Sequence, residues 1–196
     1  YSGGMFATLL LSSSLSIVGI ILDSHGLPLI HANQVLECPN NANDGKHMRS
    51  YRDGTKMEKG ECLNGLATGF WKAWHANGEL MWKGTLNDGR FEGGFRSYYD
   101  NGTLEAKGDM WDGVPVGRWK TWHRDGTLRS RGSYTDEGEK MGCWAWKHAG
   151  GGRAEKGAWV DGDKVGSHFA WPQGGSRGKS KYGGVAEQGR CWWPLI

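Results

Sequence analysis

Glycine and aromatic residues recur together at a spacing of 24 residues, and this restricts the fold more than any other property of the chain. The stretch GFWKAWHANGELMWKGTLNDG from Gly69 is followed by GGFRSYYDNGTLEAKGDMWDG from Gly93 and GRWKTWHRDGTLRSRGSYTDEG from Gly117. Counting the first glycine as offset zero, glycine returns at offset 9 (Gly78, Gly102, Gly126) and offset 15 (Gly84, Gly108, Gly132). Aromatic residues return at offset 2 (Trp71, Phe95, Trp119) and offset 5 (Trp74, Tyr98, Trp122). The segment from Gly45 keeps the glycines but carries His47 and Ser50 at the aromatic offsets, as a terminal capping unit would. One extra residue near Glu137 shifts the register before a fifth unit from Gly142 and a degraded sixth from Gly166, so about six units fill 45–188.

Thirty-four glycines in 196 residues would suggest low complexity, yet the period accounts for most of them and 12 tryptophans demand burial. Glycine interrupts every run of six to nine residues, which argues against helices after residue 45. Each unit is therefore predicted to be a β-hairpin, with Asn77-Gly78, Asn101-Gly102 or Asp125-Gly126 as a two-residue type I′ turn. Counting outward from such a turn pairs His75 with Leu80, Trp74 with Met81, Ala73 with Trp82, Lys72 with Lys83 and Trp71 with Gly84. In that register each offset-2 ring covers the bare backbone of its own hairpin: Trp71 over Gly84, Phe95 over Gly108, Trp119 over Gly132, Trp144 over Gly157. Leu80, Leu86, Leu104, Met110, Leu128 and Tyr134 share this face as the expected core, with Glu105 on the opposite one. Asp88-Gly89 and Asp112-Gly113 carry the chain into the next unit. The predicted fold is all-β, an array of about six 24-residue hairpins forming one elongated, twisted antiparallel sheet.

The pattern G-x-W-x-x-W/Y-x-x-N/D-G-x-L-x-x-x-G-x-x-x-x-G, running from Gly45 to about Gly175, resembles the bacterial variant of the membrane occupation and recognition nexus (MORN) repeat. Arrays of that variant are often labelled antitoxin-like. The resemblance implies an elongated scaffold for protein or lipid contacts, without shared catalytic residues.

The N-terminal run MFATLLLSSSLSIVGIIL from Met5 is apolar but interrupted by serines, and LIHA ends on the small residue Ala32. A secretory signal over 1–32 is the expectation, followed by a linker over 33–44, the array over 45–188 and a tail over 189–196. That signal would send the chain to the periplasm or cell surface. An apolar strand or helix packed on the first hairpin is the alternative, since no Lys or Arg precedes the run. Cys38, Cys62, Cys143 and Cys191 lack the C-x-x-C spacing of a zinc site, and an even number beside an export signal favours disulfides. Cys38 with Cys62 would staple the weak first unit and Cys143 with Cys191 the tail. Buried free thiols in a cytosolic chain are the alternative.

No catalytic residue, metal or cofactor is expected. GGSRGKS at 174–180 has Gln173 where a phosphate loop needs glycine, and KYGGV rather than a helix follows, so nucleotide binding is not expected. His75, His123 and His148 share offset 6, but equivalent positions of successive hairpins lie about 10 Å apart, whereas a metal ion needs ligands within about 2 Å. They are expected beside the leucine column. A net charge of +3 and a pI near 8.7 do not point to specific nucleic-acid binding.

Placement of charge is more informative than its total. Offset 14 is basic as Lys59, Lys83, Lys107, Arg131 and Lys156, and offset 3 as Lys72, Arg96 and Lys120. The predicted register opposes Lys72 to Lys83, Arg96 to Lys107 and Lys120 to Arg131, each pair destabilising by about 0.2–1 kcal/mol. Trp74, Tyr98 and Trp122 belong to the same face. One reading is that the long side chains diverge into water and cover those rings in cation–π contacts. The other is a basic, aromatic strip that receives an anionic partner: an acidic protein surface, lipid head groups or an anionic envelope polymer. The functional expectation is an exported, non-enzymatic repeat scaffold. An antitoxin-like immunity protein that neutralises a co-encoded toxin and a purely structural surface module are the alternatives, and the oligomeric state is not indicated.

Overall fold

The computed structural model describes residues 35–38, 44–173, 176–182 and 191. Twelve strands follow in order: β1 (Gly45–Ser50), β2 (Lys56–Leu63), β3 (Leu66–Trp74), β4 (Leu80–Asn87), β5 (Arg90–Tyr98), β6 (Leu104–Trp111), β7 (Val114–Trp122), β8 (Leu128–Tyr134), β9 (Lys140–Lys147), β10 (Arg153–Val160), β11 (Asp163–Ala170) and β12 (Gly178–Tyr182). They form one antiparallel sheet whose spatial order equals the sequence order, so each repeat is a hairpin and the chain is the all-β array expected. The expected signal segment 1–32 lies outside the described residues, as does most of the tail. The segment assigned as a linker is in part a strap. Leu36 donates its amide to Gly89 at 2.8 Å and accepts from Ala67 at 3.1 Å, Glu37 bridges Leu66, and Cys38 is joined to Cys62 with Cα atoms 6.2 Å apart.

The turns correct the first expectation. The two-residue turns with left-handed backbone at both positions join the units: Asn64-Gly65 (φ 51 and 78°), Asp88-Gly89 (45 and 75°), Asp112-Gly113 (46 and 81°) and Asp161-Gly162 (47 and 81°). Within the units, Gly78 is left-handed at φ 89° and Asn77 is not. The Gly78 amide bonds the His75 carbonyl at 2.9 Å and the His75 amide bonds the Glu79 carbonyl at 2.8 Å, which makes a three-residue loop. Asn77 stays out of the left-handed region because its side chain accepts from the Glu79 amide at 3.1 Å, as Asn101 does from Thr103 and Asp125 from Thr127.

A one-residue bulge cancels the extra loop residue, so Ala73–Trp82, Lys72–Lys83 and Trp71–Gly84 pair as expected while Trp74 meets Leu80 instead of Met81. Equivalent bulges fall at Glu105 and Arg129. Leu80, Leu104 and Leu128 therefore oppose Trp74, Tyr98 and Trp122 and are half-buried outside the core, contrary to expectation. Met81 packs on the core instead. Glu105 likewise moves from the expected solvent face to the core rim. Loss of solvation pushes its carboxyl pKa up, partly offset by Ser97, Arg129 and His75.

The second correction concerns which glycine each ring covers. Between units, Lys59–Lys72 and Glu61–Thr68 are paired, so Gly69-Phe70-Trp71 spans the place of the single residue Gly60. A left-handed glycine starts this arch in every unit: Gly69, Gly93, Gly117, Gly142 and Gly166, with φ between 62 and 74°. The arch lays the ring over the preceding unit. A Cβ built on Gly60 would lie 2.0 Å from Trp71, on Gly108 2.2 Å from Trp119, on Gly132 2.0 Å from Trp144 and on Gly157 2.0 Å from His168. Gly84 leaves more room, with Phe91 at 3.1 Å and Phe95 at 3.4 Å. Each indole N–H then donates to a carbonyl of the unit it covers: Trp71 to Glu61 at 3.2 Å, Trp119 to Asp109 at 3.0 Å and Trp144 to Ser133 at 2.9 Å. His168 does the same toward Ala158 at 2.9 Å.

These rings, with Trp82, Leu86, Phe91, Met110 and Tyr134, make one continuous buried row. Contacts such as Phe95–Trp119 at 6.1 Å and Tyr134–Trp144 at 4.9 Å between centroids carry it from unit to unit. The first unit closes the row with charge. Glu58 is fully buried, 3.3 Å from both His47 Nε2 and Arg49 Nε, and the His47 ring sits 5.6 Å from Trp71. Removing one partner of such a buried group costs more than the pair contributes.

Two outcomes follow. Gly108→Ala should lower unfolding free energy by about 1–3 kcal/mol through overpacking against Trp119, whereas Gly94→Ala, which meets only Asp109 Oδ1 at 3.8 Å, should be near neutral in a denaturant titration. Equal losses would contradict the arch. Glu105 has a folded pKa above its unfolded one, so its contribution is present at low pH and lost as pH rises through the folded pKa. Glu105→Gln should accordingly melt higher than wild type at neutral pH and level with it in acid.

Candidate functional site

The side of the sheet opposite the ring row carries the basic residues. Alternation along β3 turns Trp71 and Ala73 inward and Lys72 outward, and the same holds for Arg96 on β5 and Lys120 on β7. The register extends the expected pairs into a continuous row. Lys59 opposes Lys72, Lys72 opposes Lys83, Lys83 opposes Arg96, Arg96 opposes Lys107, Lys107 opposes Lys120 and Lys120 opposes Arg131. Seven successive strands, β2 to β8, thus contribute one cation each. Met48 precedes the row on β1, and Ala145 follows it on β9. Lys156, expected to continue the column, lies beyond Ala145. Desolvation, then Arg153 and Arg131, hold its pKa below the usual lysine range.

Among the described residues Lys59, Lys72, Lys83, Arg96, Lys107 and Lys120 make no ion pair. Ion pairs form instead at other residues, such as Arg49 with Glu58 at 3.3 Å, Arg90 with Asp112 at 3.0 Å, Arg124 with Asp100, and Lys164 with Glu155 at 2.9 Å.

A groove of about 480 Å³ opens at the middle of the row, lined by Lys83, Arg96, Lys107, Lys120, Arg118 and Phe70, with Asp109 paired to Gly94 at its edge. Its shape comes from offset 1, which is Phe70, Gly94 and Arg118 in successive units. The missing side chain at Gly94 leaves a notch between an aromatic wall and a guanidinium. Phe70 is 54% exposed and stands 5.7 Å from the Lys72 ammonium, a cation–π contact. Phe70, Arg118 and Asp109 were not singled out by repeat reasoning, which weighs columns that recur and passes over one that varies. The interruption of column 1 by a glycine was the available sign.

Trp74, Tyr98 and Trp122 are half-buried on the other flank of the row, outside the groove. The cation over Trp74 is Lys56, at 6.0 Å, rather than a member of the row. The histidines of offset 6 bridge neighbouring hairpins. His75 Nε2 donates to the Tyr98 carbonyl at 2.9 Å, His123 to Lys147 at 2.8 Å and His148 to Trp171 at 2.7 Å. Tyr51 and Tyr99 make the same bond to Trp74 and Trp122, at 2.8 and 2.9 Å. Column 6 is therefore a stitch between neighbouring hairpin loops. No group of three His, Cys, Asp or Glu side chains able to hold a metal occurs among the described residues. Cys143 and Cys191 are joined, with Cα atoms 5.4 Å apart, next to Ala158, which is fully buried.

No curated protein matches the chain. Residues 91–112 and 115–136 each match the family model described as MORN repeat variant, a class of module generally used for binding rather than catalysis. Those two segments cover the hairpins β5–β6 and β7–β8, which supply most of the groove lining, so the centre of the array is similar to MORN-variant repeats.

Proposed function

We propose that the chain is an exported, non-catalytic repeat scaffold that receives an anionic partner along the outer basic row. The observation that carries this reading is the direct opposition of cations on seven successive strands. Like charges facing one another across a ladder cost roughly 0.2–1 kcal/mol per pair. A sheet that needed only solubility would alternate the signs, as exposed faces ordinarily do. Retaining six such contacts is what a receiving surface requires, because an arriving anion removes the repulsion and stabilises the array at the same time. Export is supported by the two disulfides, which persist in oxidising compartments.

The test combines stability and binding in one variant. Lys83→Thr, Lys107→Thr and Lys120→Thr together should raise the unfolding free energy by about 1 kcal/mol or more through relieved repulsion. The same variant should lose retention on an anionic resin at low ionic strength. Wild-type retention should fall steeply as salt rises, since exposed charges are screened over about 8–10 Å near physiological strength. A triple variant retained as well as wild type would contradict the reading.

A further inference from the structure

Four features of the groove narrow the anion beyond its charge. First, the row has the spacing of its strands, about 4.8 Å per cation, comparable to one pyranose residue of an extended polysaccharide. Second, the row is twisted. At roughly 20–25° per strand, its six intervals turn it through about 120–150°, so a flat lipid surface meets only part of it while a flexible chain follows it throughout. Third, Asp109 stands among Lys83, Arg96, Lys107, Arg118 and Lys120. A carboxylate there repels a pure polyanion but accepts hydrogen bonds from hydroxyl groups. Fourth, the exposed ring of Phe70 walls the notch and offers a platform for the C–H face of a sugar. Arg118, which also lines the groove, provides the planar fork that pairs with carboxylate or sulfate.

We propose that the row and its central groove hold an extended acidic polysaccharide, one negative charge per sugar, threaded across the strands with one ring seated in the notch at Gly94. This rests on the anionic-partner reading above and names its occupant. The chain crosses β2 to β8, its charges meeting successive cations and its hydroxyls meeting Asp109. Single-stranded nucleic acid carries one base per phosphate and so asks for a stacking ring beside every charge. The groove offers one exposed ring, Phe70, because Phe95, which also lines it, is fully buried.

The experiment measures binding of the full chain to galacturonic acid oligomers of increasing length, by anisotropy at low and physiological salt. Polyglutamate and oligothymidylate of equal charge, and vesicles of phosphatidylglycerol with phosphatidylcholine, are measured alongside. Affinity should rise with oligomer length and level off near seven carboxylates, the number of cations in the row, and should exceed that for polyglutamate and oligothymidylate. Gly94→Leu keeps every charge, and Gly94 is exposed with only Asp109 Oδ1 at 3.8 Å from the new Cβ. It fills the notch and should weaken oligomer binding at least about tenfold, with melting temperature unchanged. Equal or tighter binding of polyglutamate or oligothymidylate overturns the polysaccharide and leaves the anionic partner standing. So does vesicle binding without oligomer binding, or a Gly94→Leu variant that binds oligomers as wild type does. Failure of every anion to bind overturns both.

Discussion

Each repeat after the first depends on an aromatic ring resting on a glycine of the unit before it. The contact requires three coordinated residues in one strand, Gly-x-Trp, to span one glycine in its neighbour, and this is possible only because the first of the three takes a left-handed backbone. The ring buries itself and covers backbone that has no side chain of its own, and where it is an indole it donates its N–H to the carbonyl beside that glycine. A single hairpin has no such partner and is marginal in water. Neighbour contact therefore turns a series of weak hairpins into a folded sheet, which is the nearest-neighbour logic of repeat proteins. The ends show the same constraint from the other side. His168 takes the place of tryptophan over Gly157, and the first unit fills the vacant aromatic positions with the His47–Glu58–Arg49 cluster.

The strand order, the number of hairpins and the inner and outer faces of each strand near Trp71, Phe95 and Trp119 were legible in the sequence because they follow from period and alternation alone. What was not legible involved loop geometry. Asn-Gly satisfies both a two-residue turn and a three-residue loop, and the choice at Asn77 depends on its side chain bonding the Glu79 amide, which the dipeptide does not reveal. The pairing from Ala73 inward survived because a bulge restored the count. Leu80, Leu104 and Leu128 did not survive it, lying on the loop side of the bulge where the face is reversed. The partner of each ring was misassigned for a related reason. Counting residues within a hairpin identifies the glycine directly opposite, whereas the three-against-one arch exists only between hairpins.

The two faces of the sheet divide the labour, the inner one holding the packing contacts. Rings, glycines and small residues such as Ala73, Ala106, Thr121 and Ser130 saturate the inner face. Side bonds from Tyr51, His75, Tyr99, His123 and His148 fasten one end of each hairpin pair, and the Asp-Gly turns fasten the other. None of these bonds uses the side chains at offsets 1, 3 or 14. In the central units those offsets hold the cations, Phe70 and the bare Gly94. The candidate charges were visible in the sequence as columns, but their union across hairpins into one row, and the notch beside it, required the register between units.

The central claim is that the rings couple neighbouring units, and hydrogen exchange at their indole N–H groups tests it directly. In the wild-type chain the indole protons of Trp71, Trp119 and Trp144, buried and bonded to carbonyls of the preceding unit, should exchange as slowly as the most protected backbone amides. Introducing Gly108→Ala should accelerate exchange at Trp119 first, then at amides of the hairpins on both sides of that junction, and least at Trp71. Rapid exchange of these indoles in the wild-type chain, or a Trp119 proton indifferent to a methyl group on Gly108, would contradict the account.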